Sequence, residues 1–182
     1  MIFAHDTEIS LAGAAALVNT TDGGEQLPDL AALDAFYRTW QWTGRRAGTE
    51  AELRAVHKLR PRLRQVWEAA GEEQIVVLVN ELLREGRALP QLVRHDQFSW
   101  HLHAAPSEAP LATRMMVEAA MAFVDMIRED ELSRLRRCAA DDCDNVLVDL
   151  SKNRSKRFCE AGCGNRAAVN AYRARKAGRV RP

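Results

Sequence analysis

Four cysteines, Cys138, Cys143, Cys159 and Cys163, are all that a chain of 182 residues contains, and they fall within 26 consecutive positions. Their spacing is Cys138-x4-Cys143-x15-Cys159-x3-Cys163, two close pairs divided by a long loop. A disulfide scaffold spreads its bridges through the fold, whereas a tight quartet in a reducing compartment points to metal. Four thiolates satisfy a tetrahedral zinc ion and close its shell, leaving no position for water or substrate. One structural Zn2+ and a non-catalytic role are therefore expected. Iron in the same tetrahedron, or four unrelated thiols, are the alternatives. If Cys163 opens a helix, the helix N-terminus favours its thiolate. Gly162 and Gly164 beside it allow unusual backbone angles.

Charge divides the chain at about the same place. From residue 134 to the end there are thirteen Lys or Arg against five Asp or Glu, a net +8, while residues 1–133 carry −7. The formal total of +1 conceals this split. Such asymmetry suggests that one half meets a polyanion. The first residues lack a basic region, no apolar run is long enough to span a bilayer, and a cytoplasmic location without membrane contact is expected.

Helical spacing dominates the first 133 residues. Residues 8–18 place apolar side chains at helical intervals. A second helix is expected from Pro28-Asp29, with Leu30, Leu33, Phe36, Tyr37 and Trp40 on one side. Thr49 and Glu52 form a capping box for a third, in which Pro61 predicts a kink or break. Ile75 to Leu83 reads as a largely buried helix ending at Gly86. Alternation between Leu89 and His103, with a polar centre at His95-Asp96-Gln97, suits a short β-hairpin. A long helix follows from Leu111 to about Asp130. The expected architecture is mainly α: a helical domain over 1–133 with a small hairpin, then a four-cysteine zinc-finger module over 134–182 with a basic C-terminal helix. No flexible linker separates them, so docking is expected.

Arg136-Arg137-Cys138, Val148 to Asn153, Lys156-Arg157-Phe158-Cys159, Cys163-Gly164-Asn165-Arg166 and Tyr172-Arg173-Ala174-Arg175 together resemble the CGNR zinc-finger family, whose name is the tetrapeptide at 163–166. The preceding part, with Asn19-Thr20 after an apolar helix, is similar to the ABATE-type domain that precedes this finger in bacterial proteins. The resemblance implies a stress-linked transcription regulator that binds DNA. Phe158 stands where relatives more often carry Trp, and Ala167-Ala168 where many carry a Lys.

The residues support a nucleic-acid role by themselves. Lys152, Arg154, Lys156 and Arg157 lie in the loop between the ligand pairs. Arg166, Arg173 and Lys176 recur on one stripe of a helix begun near Cys163, with Arg175 to one side. A pinned basic loop beside a basic helix suits a groove and its phosphates, DNA more than RNA. The competing reading is a solvated face, with some arginines tied to the acidic half. Asp149 and Ser151 are expected to hydrogen-bond either backbone or Arg166 near the metal, and Asn165 to stand beside the ligands.

Weaker candidates remain in the helical half. His101-x-His103 on a strand would put both imidazoles on one face, without a carboxylate or cysteine nearby in sequence. His5, His57 and His95 are isolated, and the four tryptophans read as core or pocket walls. An effector pocket rimmed by Asn19-Thr20, and a homodimer through the acidic half, are further expectations. No Gly-rich phosphate loop or nucleophile elbow occurs. The rival functions are a structural zinc module in a protein–protein adaptor, and an effector-binding helical domain with no nucleic-acid role.

Overall fold

The structure, a computed structural model, describes residues 3–94 and 100–178, with side chains to residue 176. His95 to Gln97, the expected polar centre of the hairpin, lie outside the described residues, as do Arg179 and Arg181. Helices α1 (His5–Asn19), α2 (Leu30–Thr39), α3 (Glu50–Glu68) and α4 (Glu72–Glu85) precede a hairpin of β1 (Gln91–Val93) and β2 (His101–His103). Helix α5 (Leu111–Arg128), a second hairpin of β3 (Leu135–Arg137) and β4 (Val146–Val148), and α6 (Cys163–Gly178) complete the order. The mainly α architecture with a small hairpin and a C-terminal cysteine cluster is as expected. No helix among the described residues is long and apolar enough to cross a membrane.

Local chemistry sets the helix starts. The Asp29 carboxylate accepts from the Ala32 amide at 2.8 Å and caps α2. Thr49 Oγ accepts from the Glu52 amide at 3.3 Å. The other half of the expected box is redirected: Glu52 accepts from the amides of Ala47 and Gly48 and from Arg46 Nε. These bonds prevail over burial and hold the Glu52 carboxyl below its ordinary range.

Two expectations need correction here. Of the kink or break expected at Pro61, the break is absent: α3 runs unbroken through that exposed residue, while Leu59, Leu63, Val66 and Trp67 on the other side stay buried. The lost amide bond falls on the solvent side, where the packed face outweighs it. Helix α4 is amphipathic and not largely buried: Ile75, Val79 and Leu82 face the core, but Val77 is exposed.

Helix α5 lies at the centre, packed against α1, α3 and α4. Phe123 is fully buried and meets Trp67 edge-on at 5.4 Å. The same core takes in Val146 and Val148 of β4, so the second hairpin docks directly on the helices. Trp67 Nε1 donates to Leu147 O at 3.0 Å. Asn19 brackets Val146, donating from Nδ2 to its carbonyl at 2.8 Å and accepting from its amide at 2.9 Å.

Gly86 closes α4 hard against α5. A Cβ there would lie 2.2 Å from Val117 Cγ2 and 3.2 Å from Leu82 O. Gly86→Ala is expected to lower stability by about 1–3 kcal/mol through overpacking. Urea unfolding should show a lower midpoint at an unchanged slope, and an unchanged midpoint would refute the steric reading.

Candidate metal centre and nucleic-acid interface

The two cysteine pairs come from two turns. Cys138 leaves β3 with its amide bonded to Asn145 O at 2.8 Å, and Cys143 sits in the turn of that hairpin, its amide on Ala140 O. Cys159 ends the long loop. Gly162, at φ +79, then turns the chain so that Cys163 becomes the first residue of α6. Gly164, expected to share that freedom, has ordinary helical backbone and packs beside the Phe158 ring.

The four sulfurs lie within 4.8 Å of one another, with Cys143 and Cys159 at 3.7 Å and Cys159 and Cys163 at 3.5 Å. A disulfide would bring two of them to about 2.05 Å. A tetrahedron of sulfurs about 2.3 Å from zinc has edges of about 3.8 Å, so the donor set fits that ion. All four cysteines are free, and three are buried. Together they make a metal site.

Donors surround the sulfurs. The Cys159 amide points at Cys138 Sγ (3.5 Å), Asn145 Nδ2 at Cys159 Sγ (3.4 Å), and Arg166 Nη2 at Cys163 Sγ (3.1 Å). Such bonds offset the excess negative charge of a four-thiolate shell. Burial pushes the Cys143 thiol up to about 12, assisted by the neighbouring sulfurs. Burial also works to raise Cys159, but the Asn145 amide, the Ala161 amide and the adjoining sulfurs bring it to about 7. Cys163 is raised, first by burial and then by Cys159. Cys163 and Asp142, whose carboxylate is 3.6 Å from Nη2, hold the Arg166 guanidinium charged.

Asp149 and Ser151 act elsewhere. Asp149 is fully buried and accepts from the amides of Ser151 (3.0 Å) and Lys156 (2.9 Å) and from Ser151 Oγ, with Arg136 Nη1 at 3.3 Å. Burial raises its pKa, but these bonds outweigh burial and hold the carboxyl below the usual range. Of the two partners expected for Asp149 and Ser151, backbone and Arg166, the backbone is the one they take. Both staple the 151–156 turn, and Arg166 serves a ligand sulfur. Asn165 is exposed, and none of the hydrogen bonds to sulfur comes from it. The amide that does reach sulfur, Asn145, carried no signal in the sequence beyond its position two residues after Cys143.

Two family models match the chain. One, the ABATE family, described as "Putative stress-induced transcription regulator", covers residues 12–130; the other, the CGNR zinc finger, covers residues 134–176. The chain belongs to the ABATE family. Its second part is a zinc-binding CGNR module. No curated protein matches it.

The basic residues of this ABATE protein fall into two groups. Arg154 pairs with Glu131 at 2.8 Å, Lys156 with Glu160 at 2.6 Å, and Arg166 is held as described. The Arg154 bridge is the tie to the acidic half that the competing reading anticipated. Arg157 lies over the Phe158 ring at 5.7 Å. Lys152, Arg173, Arg175 and Lys176 are exposed, and no ion pair involves them among the described residues. Helix α6 carries three of these four. From residue 165 to 176 every side chain but Ala167 is exposed, Tyr172 and Val169 included. Asn19 lines a cavity between α1 and the second hairpin, with Gln26, Trp40 and Asn145, whereas Thr20 does not. Asn19 is taken up by Val146, and Thr20 is buried, bonded to Leu17 O and Arg60.

Proposed function

We propose that this protein is a DNA-binding transcription regulator that reads DNA with α6 and the Lys152–Arg157 loop. The observation that carries this is a 16-residue helix with no buried side chain from 164 to 176, the described residues beyond Cys163. A helix that buries nothing adds little to the fold, and one of this length is marginal alone in water. It is held at one end by the metal cluster and presents Arg173, Arg175 and Lys176 to solvent. A helix about 10–12 Å across fits the major groove, which is about 12 Å wide. Zinc, as one structural ion, supplies folding energy to the module when bound. On this reading the protein is a non-catalytic, cytoplasmic regulator of a bacterial stress response.

Arg173→Ala/Arg175→Ala/Lys176→Ala tests the reading without touching the cluster, which a change at Arg166 would disturb. Anisotropy titrations of duplex DNA at several salt concentrations should show weaker binding by the triple variant. Each lost phosphate contact lowers the salt slope by about 0.9, so up to about 2.7 is expected. Identical affinity and slope, with zinc retained, would sink the proposal. RNA duplexes in the same assay decide the nucleic acid. Exposed Tyr172 and Val169 on α6 favour the adaptor as second reading, for which Tyr172→Ala but not the triple variant would abolish complex formation.

A further inference from the structure

Beside the N-terminal end of α1 lies a cavity that the zinc module does not use. Asp6 and Ser10 of α1, His101 and His103 of β2, and Glu118 of α5 share its walls. The strand alternation was legible, but its facing is the reverse of the usual pattern. Leu92, paired with Leu102 across the hairpin, and Trp100 are exposed, while His101 and His103 are half-buried against the helices. Their Nε2 atoms stand 2.9 Å apart, with the rings at 62°. Glu118 Oε1 is 3.9 Å from His103 Nδ1. Two imidazoles and two carboxylates from three elements therefore meet at one opening, a convergence that residue spacing alone does not reveal.

We infer that His101 and His103 form a two-imidazole chelate for a divalent transition-metal ion of the nickel or copper class, with Asp6 and Glu118 supplying the balancing charge. Two nitrogens about 2.05 Å from a metal and 2.9 Å apart subtend about 90° at it. That is the cis angle of a square-planar or octahedral ion, narrower than the tetrahedral angle of the cysteine site. Mixed nitrogen and oxygen donors in tetragonal geometry suit Cu(II) and Ni(II), whereas magnesium and calcium prefer oxygen alone. Glu118 Oε1, 3.9 Å from His103 Nδ1, is placed to accept Nδ1–H once it closes by several tenths of an ångström, which leaves the Nε2 lone pair for the metal, and such outer partners set ligand orientation. Ion binding displaces the proton that the two Nε2 atoms share in the metal-free pair, and His101 takes a proton at Nδ1 in exchange through solvent, so both rings bind as neutral imidazoles with no net proton release.

The test uses the full, tag-free chain with its cysteine site loaded with zinc. Calorimetric titration with nickel chloride should show one further equivalent bound without zinc release, the zinc followed with a chromogenic chelator. His101→Gln/His103→Gln should lose at least about a hundredfold in nickel affinity, and Glu118→Gln about 10–100-fold. No nickel uptake by the wild type, equal uptake by the double variant, or uptake that releases zinc would each overturn the assignment. Should the double variant fail to fold, the wild-type spectrum decides. Weak ligand-field bands support the imidazole site, and intense thiolate-to-nickel charge transfer assigns the ion to the cysteines and sinks it.

Discussion

Removing the metal from the cysteine cluster is expected to release α6 and the loop that precedes it while α1 to α5 stay folded. The cluster has almost no core of its own: Cys138, Cys159 and Cys163 pack only with Ala140, Cys143 and Phe158. Without an ion, the small contacts of Ala140 and Phe158 are the apolar hold on residues 159–176 among the described residues. Binding free energies of about 10–16 kcal/mol for structural zinc in small modules far exceed what those contacts could supply. Strand β4 should behave differently, because Val146 and Val148 belong to the main core and Trp67 and Asn19 bond its backbone. Cys159→Ser, or chelation of the wild type, should therefore abolish amide-exchange protection over 163–176. Protection at Val146 to Val148 should remain. Metal content by elemental analysis should fall from one ion per chain to none. Protection of α6 that survives chelation, or a chain without stoichiometric ion, would show that the sulfurs do not organise the module.

The contrast between β4 and α6 marks what a sequence can announce. Metal ligation imposes residue type and spacing together, so Cys138 to Cys163 could be read with their partners. Caps such as Asp29 and Thr49 act over three residues and leave a local trace. Asn19 and Asn145 leave none. Asn19 bonds a backbone 127 positions away, and Asn145 serves a sulfur on the far side of the loop. Any polar residue would look the same in the sequence. Alternation located the first hairpin correctly, because strand periodicity is intrinsic to the backbone. It could not say which face the helices cover, and apolar character pointed the wrong way at Leu92 and Leu102. Basic residues were equally ambiguous as single letters. Glu131 draws Arg154 back to the helical domain through a contact spanning 23 positions, whereas Arg173 and Lys176 are exposed on α6.

Asp149→Ala is expected to destabilise the module by about 3 kcal/mol and to loosen the basic loop. The carboxylate is fully buried and gathers the Ser151 and Lys156 amides, the Ser151 hydroxyl and Arg136. Truncation leaves those donors without an acceptor, and breaking a buried ion pair costs about 3–5 kcal/mol. The lower end applies because Arg136 is itself 32% exposed and partly screened by water. Asp149→Asn separates charge from shape. The folded-state pKa lies below the unfolded value of about 3.9, so the wild-type advantage is complete above that pH and vanishes as pH falls through the folded value. The gap in unfolding free energy between wild type and Asp149→Asn should thus be widest near neutrality and close in acid. A gap that stays constant across this range would mean that Asp149 holds the loop by shape alone. Its charge would then have no part in placing Lys152 and Arg157 beside the metal cluster.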